Sequence, residues 1–310
     1  MRILFAGSSQ ISVQSLEILH THLPIVGVLT QPDQRQGRGH KMQANPVKIK
    51  AQELGIAQIW EDLSDQTIAE IAQAADVAAV VSYGRLLKPA VLEALPQGWI
   101  NLHFSLLPKY RGATPVQTAI LNGETETGVT VFQIDAGMDT GPIYAQQKMP
   151  IPDHINSGEL FTLLSTIGSQ LLADVLFQIA TGQAVAREQL GDPTYTQKIT
   201  NADAEINWNQ PATNIFNQIR AFTPEPGAFT FLPDGTRLVV TSATIANTTT
   251  TAPSTSSLSA GSFHFTKHQV FVTTSDGTIE LLQVKPQSKR VMPASDWARG
   301  LNKRLATSIV

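Results

Sequence analysis

The 310-residue chain contains no cysteine. That excludes disulfides, thiolate zinc sites, iron–sulfur clusters and cysteine nucleophiles. Charged residues make up only 15% of the chain and aromatics 6%. The low charge does not suit a disordered polyelectrolyte, and with 42% hydrophobic residues the chain reads as an ordinary folded protein. Long apolar runs are missing. The stretch Ile3–Ala6 is too short for a signal peptide, and no segment reads as a membrane span. A cytoplasmic location is expected. A nicotinamide site is excluded as well. Gly7-Ser8-Ser9 offers one glycine where a dinucleotide fingerprint needs three, and no acidic residue ends the second strand.

Net charge is −3, but it is uneven. Residues 196–310 hold ten Lys and Arg against seven Asp and Glu, so the acidic excess lies before them. Two basic clusters stand out. Arg35, Arg38, Lys41, Lys48 and Lys50 face only Asp33 within 31–50. Lys285, Lys289, Arg290, Arg299, Lys303 and Arg304 face only Asp296 within 285–304. Such clusters are plain solvated surface or contacts to phosphates.

The first half alternates strand and helix signals. Strands are expected at 3–6, 25–29, 56–60, 77–81 and 99–104, with helices from Val13 to Leu23, 47–54, 68–74 and 89–95 between them. Val77–Val81 is apolar throughout, as a strand covered on both faces should be. A late hairpin at 129–132 and 143–145 and a long helix at 160–179 follow. This alternation predicts an α/β fold: an open parallel sheet of the nucleotide-binding, Rossmann type. The pattern then changes. Residues 182–207 are polar, a helix is expected at 212–222, and short β-rich runs follow at 228–232, 236–244, 270–274 and 279–284. Asp234-Gly235 and Asp276-Gly277 mark tight turns between them. A smaller C-terminal β-barrel, OB-like, is expected, with Asn247–Ser259 a Thr/Ser-rich loop inside it. The expected division is an α/β catalytic domain at 1–188, a linker at 189–207 and the barrel at 208–310.

The most informative segment is Trp99-Ile100-Asn101-Leu102-His103-Phe104-Ser105-Leu106-Leu107-Pro108-Lys109-Tyr110-Arg111-Gly112. It opens as an alternating strand, with Asn101, His103 and Ser105 on one face. An amide and an imidazole two residues apart on one strand face stand about 7 Å apart at Cα, so both can reach one small group. Pro108 and Gly112 end the strand, which places the pair at its C-terminal end, the ligand-binding edge of open parallel sheets. The pattern alone also fits a half-buried strand with polar residues facing water.

Asn-x-His-x-Ser-Leu-Leu-Pro-x-Tyr-Arg-Gly resembles the signature of enzymes that transfer a formyl group from 10-formyltetrahydrofolate to an amine. Asp135-Ala136-Gly137-Met138-Asp139-Thr140-Gly141 resembles the segment carrying that family's catalytic aspartate. Val80-Val81-Ser82-Tyr83-Gly84-Arg85-Leu86-Leu87 is similar to the wall of its folate pocket. Thr30-Gln31-Pro32-Asp33 through Gly37-Arg38-Gly39-His40-Lys41 resembles the tRNA-contacting loop of the family's branch that acts on methionyl initiator tRNA. Ile206-Asn207-Trp208 and Arg220–Pro226 resemble the entry to that branch's second domain.

The resemblance implies formyl transfer with Asn101, His103 and Asp139 as catalytic residues. Ser105, Leu106, Leu107, Pro108, Tyr83, Gly84, Leu86 and Leu87 would bind the folate co-substrate, and Arg35, Arg38 and Lys41 would meet tRNA. It also implies tRNA-binding by the barrel, a monomer, and no metal. Acyl transfer needs donors aimed at a developing oxyanion and a group that moves protons. A neutral amide, an imidazole and a carboxylate supply both. An amino sugar nucleotide or water remain alternative acceptors. The sequence departs from the family pattern at Phe104, where a small residue or proline is usual, and at Ser8-Ser9-Gln10-Ile11, where Thr-Pro and then an aromatic two residues on are usual.

Overall fold

The computed structural model describes residues 1–36, 41–246 and 259–301. The chain divides into two compact units. The first comprises 1–115, 126–150 and 161–196; the second comprises 116–125, 151–160 and 197–310.

The first unit is built on a seven-stranded sheet. In chain order its elements are β1 (Ile3–Gly7), α1 (Gln10–His22), β2 (Ile25–Leu29), the short strands β3 (Gln34–Gln36) and β4 (Lys41–Gln43), α2 (Pro46–Glu53), β5 (Ile59–Trp60), α3 (Asp65–Ala74), β6 (Val77–Val81), α4 (Pro89–Leu92) and β7 (Trp99–His103). After α5 (Pro115–Leu121), which falls almost wholly in the second unit, come β8 (Glu126–Gln133), β9 (Ile143–Pro150) and α6 (Ser157–Ala180). Strand order is β5-β2-β1-β6-β7-β8-β9. The first five strands are parallel; β8 and β9 add antiparallel pairs at the end. From β1 the chain winds one way to β2 and β5, then crosses back to β6 and β7. In open α/β sheets, ligands collect beyond the strand C-termini beside such a reversal.

β1 and β6 are buried at every residue, as their uninterrupted apolar runs require. One core cluster joins Leu4, Ala6, Leu29, Ile71, Val80, Tyr83, Leu87, Val91 and Trp99. Local signals explain the helix starts. Asn45 accepts from the Lys48 N–H with Pro46 at the first helical position of α2, and Ser64 accepts from the Thr67 N–H at the start of α3. The 24-residue α6 is apolar enough, by length and composition, to cross a membrane, against the expectation that no segment would be. Half of it is buried, with Leu160, Leu164, Leu172 and Leu176 fully covered, as in the core helix of a globular unit.

In the second unit, α7 (Ala212–Ala221) precedes β10 (Phe229–Phe231), β11 (Arg237–Ile245), β12 (Phe263–Phe265), β13 (Val270–Thr273), β14 (Thr278–Pro286), β15 (Met292–Pro293) and α8 (Ala294–Gly300). The strands form one antiparallel sheet in the order β10-β11-β14-β13-β12, with β15 also on β14. Register shifts near Ser242 in β11 bend the strand, and bulges of this kind let a small sheet curl. This is the barrel-type domain expected. The Asp234-Gly235 and Asp276-Gly277 turns sit between β10 and β11 and between β13 and β14. Asp276 also caps α7, accepting from the Ala212 N–H at 2.8 Å. The Thr/Ser-rich run lies outside the described residues except for Ser259.

Several elements differ from the periodicity, β8 and β9 running longer and α4 shorter than expected among them. β5 is two residues rather than five, because Ile56 packs in the turn after α2 while Ala57 and Gln58 are exposed. α5 carries too few residues for a pattern to emerge. Residues 34–36 and 41–43, expected within a loop, pair as antiparallel strands β3 and β4.

Candidate active site

The site forms at the C-terminal end of β7. This strand is interior, hydrogen-bonded to β6 on one side and β8 on the other. Ile100 and Leu102 are buried on one face; Asn101 and His103 take the other. Phe104 follows the strand and meets Phe161 of α6 edge to face, centroids 5.4 Å apart. The ring that departs from the family pattern is therefore core, only 4% exposed.

His103 is nearly buried and fixed on both sides. Its Nε2 lies 2.9 Å from the Tyr110 carbonyl oxygen. A carbonyl only accepts, so Nε2 carries the proton, and in the neutral ring Nδ1 is bare. That bare nitrogen stands 3.7 Å from Asp139 Oδ2. Two acceptors that close, but beyond a direct hydrogen bond, are reconciled by a proton on the ring or by a donor between them. Phe132 of β8 packs edge-on to the imidazole.

Asp139 reaches this position through an unusual backbone. Its φ is +52°, in the left-handed region that Asp tolerates better than most residues. Oδ2 accepts from the Gly112 N–H at 2.7 Å. Asp135 braces the same loop, accepting from the Gly137 N–H and the Thr140 hydroxyl. The Asn101 carboxamide, half-exposed on the same strand face as His103, makes no side-chain hydrogen bond among the described residues. It is an open donor beside the His103–Asp139 pair.

The Ser105–Pro108 segment is held by residues the sequence did not single out. The Thr130 hydroxyl donates to the Ser105 carbonyl at 2.6 Å and accepts from the Leu107 N–H at 3.1 Å. Gln146 donates to the Leu107 carbonyl and to Thr130. The Ser105 hydroxyl donates to the Lys109 carbonyl. These backbone groups are thus engaged within the protein. What the segment offers a ligand is mainly apolar wall. Gly128 of β8 makes room for it: a Cβ there would lie 2.6 Å from Leu106 Cδ2.

The second expected wall divides. Tyr83 and Leu87 are buried in the core cluster, while Leu86 is 83% exposed. Burial pushes the Tyr83 phenol above its usual range. Ser82 and Gly84 both have positive φ, and Gln31 donates to the Tyr83 carbonyl at 2.8 Å. The Ser8 hydroxyl accepts from the Gln31 N–H, so the first loop, which departs from the family pattern, is tied to this wall.

The basic cluster at 31–50 is only partly available. Lys48 pairs with Asp33 and Glu61, and Lys50 with Glu17 and Glu53. These acids hold both ammonium groups above their ordinary range, Lys50 to about 12. Arg35 and Lys41 lie on β3 and β4, and Arg38 lies outside the described residues. In the other cluster Arg299 pairs with Asp296, whereas Lys285, Lys289 and Arg290 are exposed with no acid paired among the described residues. No grouping of three or more His, Asp or Glu that could hold a metal occurs among the described residues.

Residues 1–176 match the family described as Formyl transferase, and residues 198–302 match Formyl transferase, C-terminal domain. The chain belongs to the formyl transferase family. Proteins named methionyl-tRNA formyltransferase from Bifidobacterium animalis subsp. lactis and Bifidobacterium adolescentis are 44% and 45% identical to it, over 97% of either chain in both cases. The protein of that name from Corynebacterium diphtheriae is 42% identical over the same share. Among solved structures, an N-formyltransferase from Helicobacter canadensis with folinic acid and dTDP-3-aminofucose aligns with a TM-score of 0.64 at 24% identity, covering 90% of this chain and 98% of that one. WlaRD, a sugar 3N-formyl transferase, aligns at 0.65 and 23%, covering 94% and 99%. At these identities the two structures speak to the fold. As a formyl transferase, the chain uses 10-formyltetrahydrofolate as its one-carbon donor.

Proposed function

We propose that this formyl transferase moves the formyl group of 10-formyltetrahydrofolate to the α-amino group of methionyl initiator tRNA. The observation that carries the reading is the triad at the β7 end, in a chain whose relatives of that name match it along 97% of its length. In the reaction the amine nitrogen bonds to the formyl carbon, and the bond from that carbon to the folate nitrogen breaks. Asn101 donates its amide N–H to the formyl oxygen as charge develops there, and needs no proton transfer to do so. The gap between His103 Nδ1 and Asp139 Oδ2 suits the N–H of the attacking amine or of an ordered water. Both groups are acceptors there, so the pair takes the proton the amine loses and His103 then returns one to the leaving nitrogen. Asp139 stabilises the imidazolium formed between the two steps. Leu106 and Pro108 line the folate side, and Gln31 holds the wall at Ser82–Gly84.

The enzyme works as a cytoplasmic monomer in this reading. Phosphates of the acceptor meet Arg35, Arg38 and Lys41 of the first basic cluster, and meet the second unit through Lys285, Lys289 and Arg290. The test is mass spectrometry of methionyl initiator tRNA after incubation with protein and 10-formyltetrahydrofolate. An amino sugar nucleotide and water, scored as free formate, serve as competing acceptors. Formyl-methionyl-tRNA as the main product supports the reading; preference for the sugar or for water sinks it.

A further inference from the structure

We infer that Gln189, clasped by Arg111, is a positioning residue for Asp139. One carboxamide meets three groups. Its nitrogen donates to the Asp139 carbonyl at 2.8 Å and to the Gly141 carbonyl at 2.9 Å. Its oxygen accepts from Arg111 Nη2 at 2.7 Å. Arg111 is 9% exposed and is held by neutral partners: Gln189, and Tyr195, whose hydroxyl lies 3.4 Å from Nη1 and whose ring lies 5.9 Å from Cζ.

The anchor is built from backbone too. The Arg111 N–H donates to the Thr194 carbonyl, and the Thr196 N–H donates to the Arg111 carbonyl. The Tyr110 N–H donates to the Thr194 hydroxyl at 2.8 Å. Tyr110 has φ +60°, a costly setting for a bulky residue, and its carbonyl is the one that fixes His103 Nε2. The residues that orient His103 and Asp139 are therefore stitched to one strap, 189–196, a stretch that polarity alone marks as a linker.

The clasp acts on the backbone of a residue in left-handed conformation. Without the donation, the Asp139 carbonyl loses its side-chain donor, and the loop keeps the Asp135 contacts, the Gly112 N–H and the Gln133 N–H bond to the Pro142 carbonyl at its base. A misplacement of about 1 Å at a reacting group can cost roughly a hundredfold in rate. Gln189→Ala should then lower kcat about tenfold to a hundredfold with KM for either substrate little changed.

Gln189→Glu separates positioning from simple anchoring. A glutamate still accepts from Arg111, and as an ion pair, but it presents oxygen to two carbonyls and cannot donate to them. If Gln189 served only to anchor Arg111, Gln189→Glu would behave as wild type. As a positioning residue it should be at least as slow as Gln189→Ala, with an altered pH profile.

The kinetic arm rests on the formyl-transfer reading; a second arm does not. Asp139 Oδ2 stands 3.7 Å from His103 Nδ1, so a displaced Asp139 loop changes the surroundings of the ring. In the 15N-histidine-labelled full chain at one fixed pH, with His103 assigned by the peak lost in His103→Asn, the His103 ring-nitrogen resonances should move in Gln189→Ala relative to wild type. Melting temperatures verify that each variant folds. Wild-type kcat in Gln189→Glu, or unmoved His103 ring resonances in folded Gln189→Ala, would overturn the inference. Unmoved, wild-type-like resonances count against it even if no formyl transfer is found in any variant.

Discussion

The β7 end and the far end of β14 are both functional candidates, and they are built differently. Around β7 almost every polar group is spoken for. Thr130, Gln146, Gln189 and Thr194 each bind backbone of the loops that carry or flank His103 and Asp139. At the end of β14, Lys285, Lys289 and Arg290 stand exposed, with no acid paired among the described residues. Chemistry needs groups held to fractions of an ångström, because transition-state stabilisation is lost when donors drift. Phosphate contact tolerates loose, solvated cations, because its attraction is long-ranged and not directional. One region should therefore respond to single-atom changes, the other to charge and salt.

The largest effects belong to the first region. Asn101→Ala, His103→Ala and Asp139→Ala should each lower kcat by roughly a hundredfold or more while melting temperature stays near wild type. Pairing His103→Ala with Asp139→Ala should cost far less than the sum of the two in free energy, because they act through one shared proton. An additive double variant would show two independent roles and dissolve the pair.

Next comes Thr130→Val, which keeps shape and deletes one hydroxyl. That hydroxyl is the fully buried hub between Ser105, Leu107 and Gln146. Leaving its partners unpaired should cost about 1–3 kcal/mol of stability in denaturant unfolding. Folate affinity should fall with it, because the Leu106 wall loses its fixed backbone. A variant as stable as wild type would show that the loop is less constrained than its bonding implies.

The comparison also explains what the sequence could reveal. The β7 motif was legible because strand alternation puts Asn101 and His103 on one face, and because Pro108 and Gly112 stop the strand. Asp139 was legible only through resemblance; 36 residues along the chain, in a left-handed turn, it leaves no periodic trace. Gln189 and Thr194 were not legible at all. A single carboxamide or hydroxyl in a polar stretch has no pattern, and its role comes from backbone groups brought to it by the fold. The charge of the 31–50 cluster overstated its reach, since the acids that neutralise Lys48 and Lys50 include Glu17 and Glu61, outside the window. In the sheets, short continuous apolar runs and Asp-Gly turns marked the strands, whereas β12 and β15, two or three residues each, are held by neighbours alone.

A truncation sharpens the contrast between the units. Residues 116–125 and 151–160 belong to the second unit although they precede α6 or open it. Within that unit the Ser157 hydroxyl and the Gly158 N–H both donate to the Thr223 carbonyl, and Arg220 reaches the Ile155 carbonyl. A fragment ending at Ala204 loses all of these. We expect it to fold, since the seven strands are complete, but to melt well below the full chain and to expose the 116–125 and 151–160 segments to protease. Folate binding should persist and use of tRNA should largely vanish. A fragment as stable as the full chain would show that those segments contribute nothing to the second unit's hold.

The smallest effects test the cations one at a time. Lys285→Ala, Lys289→Ala and Arg290→Ala should leave kcat and folate affinity alone and weaken tRNA use, most visibly at low salt. Each lost phosphate contact should flatten the slope of log affinity against log salt by roughly 0.7–0.9. Lys48→Ala is the control from the other cluster. Its ammonium already lies 2.9 Å from Asp33 and from Glu61, so it has little charge left to offer a phosphate. Its removal should leave the salt slope unchanged and lower stability slightly by freeing two acids. The measurement is tRNA affinity and steady-state kinetics for all four variants at three salt concentrations. If Lys48→Ala flattens the slope as much as Lys289→Ala does, pairing in the free protein does not decide which cations meet the nucleic acid. The distinction between the tied and the free cluster would then fail.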